Sequence, residues 1–196
     1  MDENTNWHEF TKLTLDSPPR WLVNKALELS GDFKGFAVEL GCGSGVDTVK
    51  LVSAGWSVLA VDACDDGFEN IYSKLPTDLS EKVTCVKSSF EDFIIPECDM
   101  VYSVFSIPFC KPEFFDNFWA RIVNAIRPDG LFAGNLFGIN DEWNYMSDAI
   151  FITKSKFDEL FSGFEILHFR EQQAKGPTVL GPPKFWHLFD VVAIKN

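Results

Sequence analysis

The sequence predicts an α/β protein built on a doubly wound, largely parallel sheet. Short apolar runs alternate along the chain with stretches of helical spacing, a pattern typical of strands joined by crossover helices. A glycine-rich turn follows the first apolar run, and a carboxylate, Asp62, ends the second. Both features fall at the carboxyl ends of predicted parallel strands, where sheets of this class bind their ligands. The length of 196 residues suits one domain.

Five apolar runs are predicted as strands: residues 36–40, 57–62, 83–87, 100–104 and 131–136. Helices are predicted over residues 46–54, 67–75 and 112–126, between these strands. Residues typical of helix ends support these three helices, because Gly55 and Pro76 follow the first two helices and Pro112 stands at the first position of the third. Residues 127–130 are predicted as a turn.

The two ends of the chain carry further elements. Asp16 or Ser17 is predicted to cap a helix that is entered through Pro18 and Pro19 and ends at Gly31. Towards the other end, a helix over residues 153–161 leads to a strand over 165–169, a loop over 172–184 and a strand over 186–194. Because no helix separates these last two strands, we expect them to be antiparallel neighbours.

Composition excludes several function classes. The net charge is −12, with no basic stripe, so nucleic acids and anionic membranes are disfavoured as partners. No apolar run approaches the roughly 20 residues of a membrane span, and the N-terminal residues do not resemble a secretory signal. The five cysteines are odd in number and show no CxxC spacing, which indicates reduced thiols and neither a disulfide framework nor a metal site. These observations predict a cytoplasmic domain.

The glycine-rich turn, ELGCGSG at residues 39–45, carries the strongest functional signal. Glycines let the backbone approach a ligand closely, the following helix N-terminus suits an anionic group, and Asp62 can accept the two hydroxyls of a ribose. A dinucleotide fingerprint requires glycine where Val46 stands, and Glu39 is unfavourable beside a pyrophosphate. A cationic ligand suits Glu39 better, which favours S-adenosylmethionine. A nucleotide- or NAD-type binding domain is the alternative, as is a catalytically inactive protein that binds a partner.

Several segments together resemble class I S-adenosylmethionine-dependent methyltransferases. The segments that carry the resemblance are VELGCGSG at 38–45, VDA at 61–63, SSFEDF at 88–93, DMVYS at 99–103 and IRPDGL at 126–131. The resemblance implies a Rossmann-like methyltransferase fold with seven strands, the last of them antiparallel. It also implies one domain over 1–196, with an N-terminal helix or lid at 1–30, a cofactor-binding core at 34–136, and rim loops with a closing hairpin at 137–196. Asp47 resembles an aspartate of the small-molecule subgroup that includes tellurite-resistance and thiopurine-type enzymes.

The resemblance assigns roles to individual residues. The implied cofactor-binding set is Arg20, Glu39, Gly41, Cys42, Gly43, Gly45, Asp47, Asp62, Ala63, Ser89, Phe90 and Ser103. Within it, the glycines wrap the cofactor, Glu39 faces its amino-acid end, Asp62 binds the ribose, and Ala63 and Phe90 hold the adenine. Ser89 stands where the family often has an aspartate, so we expect weaker cofactor binding. Arg20 is expected either to pair with the cofactor carboxylate or to be an ordinary surface arginine.

A rim of aromatic residues is expected at the same end of the sheet. Its members are Trp7, Phe105, Phe109, Phe137, Trp143 and Trp186. Such a rim suits a small, partly apolar acceptor better than a macromolecule, although a packing role is the competing interpretation for several of these rings. Methyl transfer from a sulfonium needs no nucleophile from the protein. If the acceptor must lose a proton, Asp141 or His187 is the candidate base.

Overall fold

A central sheet organises the molecule in the computed structural model, which describes residues 7–146 and 148–196. Its strands are β1 Phe36–Leu40, β2 Ser57–Asp62, β3 Val83–Lys87, β4 Cys98–Ser103, β5 Ile126–Gly138, β6 Phe151–Ile152, β7 Phe164–Gly176 and β8 Lys184–Lys195. The strand order is β3-β2-β1-β4-β5-β8-β7, and the short β6 pairs with the end of β5. Within the described residues, β8 runs antiparallel to both of its neighbours, β5 and β7, and the other pairings of the sheet are parallel. The predicted doubly wound fold with an antiparallel last strand is confirmed, and β6 is an addition to the seven expected strands.

Helices cover both faces of this sheet. They are α1 Trp7–Thr14, α2 Trp21–Leu29, α3 Val46–Ser53, α4 Phe68–Lys74, α5 Thr77–Ser80, α6 Pro112–Ala125 and α7 Lys154–Leu160. The apolar residues of α2 and α3 form one buried cluster with alternate residues of the sheet, and those of α6 and α7 form the other cluster. In α6 the spacing of Phe115, Phe118 and Ile122 places these three side chains on one buried face. Two cores on opposite faces leave the carboxyl ends of the parallel strands free for a site.

The start of α2 differs from the prediction. The helix begins at Trp21, and Arg20 precedes it in an extended conformation (φ −61°, ψ 145°), so neither Asp16 nor Ser17 is its cap. The reason is a tertiary contact. The backbone N–H of Arg20 donates a hydrogen bond of 2.7 Å to Oδ1 of Asp47, which holds this segment against α3.

Strand bounds also differ from the prediction, most of all in β5 and β7. Residues 127–130, expected as a turn, lie inside β5 as an irregularity: Cys98 pairs with Ile126, but Met100 already pairs with Leu131. Asp129 has a φ of +63° there, so the turn-like conformation is kept within the strand. β7 extends to Gly176, because its pairing with β8 continues to Lys184, and the loop expected over 172–184 shortens to 177–183.

The N-terminal helix α1 lies over the glycine-rich turn. An atom of the Phe10 ring is 3.9 Å from the position of a Cβ placed on Gly43, and Ser44 Oγ donates to the backbone oxygen of Thr14 at 3.1 Å. The remainder of the predicted N-terminal segment, residues 1–6, lies outside the described residues. Across residues 7–146 and 148–196, no helix has both the length and the apolar character that crossing a bilayer requires.

Candidate active site

The glycine-rich turn between β1 and α3 is fixed against the end of β2. Gly41 has a φ of +75°, and a Cβ at this position would lie 1.7 Å from Ser106 Oγ, so only glycine fits. The backbone N–H groups of Gly41 and Cys42 donate to the oxygen of Val61 at 2.7 and 3.1 Å. The turn therefore presents its backbone next to Asp62, as the sequence predicts.

Asp62 is part of the turn as well as a ligand candidate. Its Oδ2 accepts a hydrogen bond of 2.8 Å from Gly43 N, and its Oδ1 accepts one of 2.9 Å from Cys64 N. Burial raises the pKa of this carboxyl group, while the backbone N–H groups oppose that effect. Each oxygen keeps a free acceptor position, so the carboxylate can still bind a pair of ligand hydroxyls.

Four carboxylates line one cavity of ≈ 210 Å³ beside the turn: Glu39 of β1, Asp47 of α3, Asp62 at the end of β2, and Glu91. Glu39 is only 3% exposed and accepts a 2.5 Å hydrogen bond from the hydroxyl of Thr48. Burial raises the pKa of Glu39 well above its ordinary value, and the charges of Asp47 and Asp62 add to this. Arg20 is the one cationic side chain among the lining residues, all of which are described. A cationic ligand would relieve this concentration of negative charge.

We call this space the glycine-turn cavity. The predicted cofactor residues that line it are Arg20, Glu39, Gly41, Cys42, Gly43, Asp47, Asp62, Ala63, Ser89 and Phe90. Gly45 and Ser103 do not line it. Gly45 is needed for packing, since a Cβ there would lie 2.0 Å from Cγ1 of Ile71, and Ser103 donates a 2.9 Å hydrogen bond to the oxygen of Leu40. Both residues therefore support the turn from outside the cavity.

The adenine-side segment departs from its expected use. The hydroxyl of Ser89 donates to Oδ2 of Asp92 at 2.9 Å and accepts from the backbone N–H of Asp92 at 3.2 Å, so it stabilises its own loop. Phe90 stacks on Phe118 with 4.8 Å between ring centroids and lines the cavity. Glu91, which the sequence analysis did not select, lines the cavity next to it. A carboxylate is therefore present on this wall two positions after Ser89.

Further residues, outside the predicted cofactor-binding set and the predicted aromatic rim, line the glycine-turn cavity. They are Phe10, Thr11, Thr14, Ser17, Ser44, Val46, Ser88, Glu91, Tyr102, Val104 and Ser106. Tyr102 was detectable in principle, because it lies in a segment already matched to the family and pairs in register with Glu39. The residues of α1 line the cavity because the tertiary fold brings that helix, predicted as an N-terminal helix or lid, over the turn.

A second cavity, of ≈ 430 Å³, adjoins the first. We call it the aromatic cavity, because the whole predicted rim lines it: Trp7, Phe105, Phe109, Phe137, Trp143 and Trp186. Centroid distances of 5.4 Å between Phe105 and Trp186 and of 5.2 Å between Trp143 and Trp186 show that the rings pack on one another. Polar residues of the sheet, Asn135 and Asp190, line the same cavity. The chain between 176 and 180 also lines it.

Arg20 and Phe105 stand where the two cavities meet, since both residues line both of them. The Arg20 guanidinium lies 5.0 Å from the centroid of the Phe105 ring. Phe105 has a φ of +54°, a conformation rare for a residue with a large side chain, and its N–H donates to Oδ1 of Asn135 at 2.8 Å. Strain of this kind persists only where the surroundings enforce it and is concentrated at functional sites.

The two proposed bases, Asp141 and His187, require a correction. Neither lines either cavity, and both are buried. Asp141 forms an ion pair with Lys184 and accepts hydrogen bonds from the backbone N–H groups of Trp143 and His187, each at 3.0 Å. His187 Nδ1 accepts from Asn140 N at 3.1 Å, so its proton is on Nε2, 3.0 Å from a carboxylate oxygen of Glu171. Their polar atoms brace the wall behind the aromatic cavity, and the geometry gives neither a route to a bound acceptor.

Within residues 7–146 and 148–196, no group of three or more His, Cys, Asp or Glu side chains is arranged to hold a metal ion.

Comparison with known proteins agrees with this arrangement. Residues 37–130 match a family model described as a methyltransferase domain. No curated protein matches the sequence significantly.

Among solved structures, TehB from Haemophilus influenzae superimposes with a TM-score of 0.77 at 15% identity, covering 95% of this chain. This chain spans 66% of the length of TehB. The N-methyltransferase NodS from Bradyrhizobium japonicum gives a TM-score of 0.70 at 11% identity, covering 97% of this chain and 98% of NodS, and its structure contains S-adenosylhomocysteine.

A third similar structure is the 1,6-didemethyltoxoflavin-N1-methyltransferase of Burkholderia thailandensis, with a TM-score of 0.66 at 17% identity. The match covers 90% of this chain and 79% of that protein. At these identities the likeness concerns the fold. Residues 37–130 therefore resemble a methyltransferase domain, and the chain shares its fold with these three proteins.

Proposed function

We propose that the protein transfers the methyl group of S-adenosylmethionine to a small acceptor molecule. The observation that carries this proposal is the contact between two cavities of different chemistry, an acidic one beside the glycine-rich turn and an aromatic one next to it, with Arg20 and Phe105 between them. A donor and an acceptor bound in these cavities would meet at that junction.

The glycine-turn cavity fits S-adenosylmethionine group by group. The ammonium and sulfonium groups suit the negative surroundings of Glu39 and Asp47, and Arg20 can pair with the single carboxylate. Asp62 has a free acceptor position on each oxygen for the ribose hydroxyls, and Phe90 and Ala63 offer apolar surface to the adenine. A dinucleotide fits less well, because its pyrophosphate would face the same carboxylates.

When bound, the cofactor supplies a methyl group on a sulfonium; an acceptor lone pair forms the new bond to the methyl carbon while the electron pair of the broken C–S bond stays on sulfur. The protein itself contributes alignment and exclusion of water. The ring of Phe109 and the helix α1, through Trp7 and Phe10, cover the junction between the cavities. Holding two reactants in line can contribute up to about 7–11 kcal/mol to the lowering of the barrier.

Size and charge support a small acceptor. The aromatic cavity, at ≈ 430 Å³, has the dimensions of a small-molecule site. The net charge of −12 opposes binding to nucleic acids and anionic membranes. The Burkholderia structure contains 1,6-didemethyltoxoflavin together with S-adenosylhomocysteine, so this fold can hold a small acceptor beside the cofactor. The free cysteines support a cytoplasmic location as part of the proposal.

Isothermal titration calorimetry with S-adenosylhomocysteine tests the cofactor assignment, with NAD as the control ligand. We expect micromolar binding of S-adenosylhomocysteine and no binding of NAD. Binding of NAD alone would favour a nucleotide-binding domain, and a folded protein that binds neither would contradict the proposal. Binding of S-adenosylhomocysteine without turnover on any acceptor would indicate an inactive, partner-binding protein.

A further inference from the structure

Asp190 is a buried carboxylate in the wall of the aromatic cavity, and the proposed mechanism gives it no role. It lies in β8, where it pairs in register with Asn135 of β5 and Arg170 of β7, and it is 3% exposed. Its Oδ1 is 3.5 Å from Nδ2 of Asn135. Its Oδ2 is buried and has no hydrogen-bond partner among the described residues. An unsatisfied buried carboxylate oxygen is costly, so its presence at a cavity indicates a partner that the protein itself does not supply.

The basic side chains that influence Asp190 electrostatically, Arg170 and His168, have their own contacts elsewhere. Arg170 donates a hydrogen bond to Gln172, and its guanidinium lies 5.4 Å from the ring of Trp21. His168 packs edge-on against the same Trp21 ring at 5.5 Å. Burial raises the pKa of Asp190; the hydrogen bond from Asn135 and the charges of Arg170 and His168 act against this without removing the shift. Asp190 therefore still has an oxygen available to a donor.

The aromatic rings around the cavity, with the cations that already contact them, limit the charge that a ligand can carry. An aromatic cage with a carboxylate would ordinarily suit an organic cation. Here the cage already carries cations of the protein: Nζ of Lys184 lies 3.8 Å from the Trp186 ring and 4.1 Å from the Trp143 ring, and Arg20 lies over Phe105. A second cation would compete with Lys184 and Arg20 for the faces of these rings, and an anion would be repelled by Asp190. A neutral, flat molecule meets neither obstacle.

We infer that the methyl acceptor is a neutral, planar aromatic molecule and that an N–H or O–H group on it donates a hydrogen bond to Oδ2 of Asp190. This inference rests on the proposed function, because it takes the aromatic cavity as the acceptor site. The rings of the cavity hold the plane of the molecule, and the single carboxylate orients it by its donor. A ligand of the same shape without the donor leaves the Asp190 oxygen unsatisfied and binds more weakly.

A matched pair of fragments tests the inference. Benzimidazole and benzoxazole have the same shape, but the first carries an N–H where the second carries an oxygen. Their affinities are measured by ligand-observed NMR, both without and with S-adenosylhomocysteine. We expect the wild-type protein to bind benzimidazole at least about fivefold more tightly, as one hydrogen bond to a carboxylate predicts.

Two variants locate the effect. In Asp190→Asn the amide oxygen faces Nδ2 of Asn135, so the amide NH₂ faces the ligand, and we expect the preference for benzimidazole to disappear or to reverse. Asp158→Asn is the matched control, because Asp158 is an exposed residue of α7 paired with Lys154, and it keeps the wild-type preference. A circular dichroism spectrum and a melting temperature like those of the wild type show that each variant is folded.

The outcomes separate this inference from the proposed function. Equal affinities of the two fragments for the wild type, no benzimidazole binding at millimolar concentration, or an unchanged preference in Asp190→Asn would each overturn the inference. A further outcome is that the fragment preference depends on Asp190 but S-adenosylhomocysteine does not bind in calorimetry. In that case the hydrogen bond from the ligand to Asp190 stands and the proposed methyl transfer fails.

Discussion

The hydroxyl of Tyr102 donates a 2.7 Å hydrogen bond to Oδ2 of Asp47, while Oδ1 of the same carboxylate accepts the backbone N–H of Arg20. One buried side chain thereby joins β4, α3 and the start of α2. Arg20 stands between the two cavities. Its position there depends on the hydrogen bond from its backbone N–H to this carboxylate. Burial raises the pKa of Asp47, and the two hydrogen bonds oppose that effect, so each of them helps to keep the carboxylate charged.

Replacing Tyr102 by phenylalanine removes one of these bonds without changing the shape of the core. We expect Tyr102→Phe to lower the free energy of unfolding by about 1.5–3 kcal/mol, the range for a hydrogen bond to a charged group. The measurement is urea denaturation. Tyr145→Phe is the control, because Tyr145 is exposed, and it should change stability by no more than about 0.5 kcal/mol. Equal effects of the two substitutions would contradict the anchoring role of Tyr102.

Much of the fold follows from local sequence. β1, β2 and β3 have the predicted bounds, because each is a short apolar run closed by glycine, carboxylate or lysine at a turn. β7 was underestimated because its second half, with Glu171 and Gln172, has no apolar alternation: it is an edge strand that pairs only with β8. Its length is fixed by its partner strand, which a local pattern does not reveal.

The candidate site shows the same division. The glycine-rich turn and Asp62 follow from a motif whose backbone geometry is local. The role of His187 does not follow from a local motif of this kind, although His187 is adjacent to Trp186, which lines the aromatic cavity. Successive residues of a strand point to opposite faces of the sheet, so Trp186 and His187 cannot both reach the same cavity. That rule alone would have removed His187 as a base, because the predicted strand over residues 186–194 already contains both residues.

Asp62 should determine cofactor affinity. We expect Asp62→Ala to weaken S-adenosylhomocysteine binding by roughly 10- to 100-fold, since it removes a charged hydrogen-bond acceptor for two hydroxyls and also the acceptor of the Gly43 N–H. Calorimetry provides the measurement. Asp65→Ala changes a neighbouring exposed carboxylate that pairs with Lys87, and it should leave the affinity unchanged. Full affinity in Asp62→Ala would refute the assignment of the ribose site.

Glu39 should make the free protein less stable as the pH rises. Its pKa in the folded state lies well above the ordinary glutamate value because of burial and the charges of Asp47 and Asp62. A carboxyl group with a raised folded-state pKa contributes stability that is complete below its unfolded pKa and is lost as the pH rises through the folded pKa. Glu39→Gln cannot ionise and keeps an oxygen to accept the Thr48 hydroxyl, so it should not show this loss.

Thermal unfolding across the range from acidic to mildly alkaline pH tests this expectation. The melting temperature of Glu39→Gln should exceed that of the wild type increasingly as the pH rises, by a few degrees for each ~1 kcal/mol. The same variant should bind S-adenosylmethionine more weakly, because it lacks the negative charge that destabilises the free protein but attracts the cationic groups of the ligand. Glu165→Gln, an exposed position of β7, is the control and should follow the wild type. A pH-independent difference between Glu39→Gln and the wild type would contradict the role of its charge.

The ion pair of Lys184 with Asp141 should hold the wall of the aromatic cavity. Both side chains are almost fully buried, and the ammonium of Lys184 also packs between the rings of Trp143 and Trp186. Removing one partner of a buried pair leaves the other charge uncompensated, at a cost of about 3–5 kcal/mol, whereas replacing both by apolar residues costs far less. We therefore expect Lys184→Met to be strongly destabilising in urea denaturation.

A double-mutant cycle separates the pair from its surroundings. Lys184→Met combined with Asp141→Leu should recover part of the stability lost in Lys184→Met alone, because no buried charge is left without a partner. Recovery will be incomplete, since Asp141 also accepts the backbone N–H groups of Trp143 and His187. Additive losses in the double variant would mean that the two side chains act independently. In that case Lys184 would contribute through its contacts with the tryptophan rings. Whatever the result of the cycle, S-adenosylhomocysteine binding in the glycine-turn cavity should be unaffected in either variant.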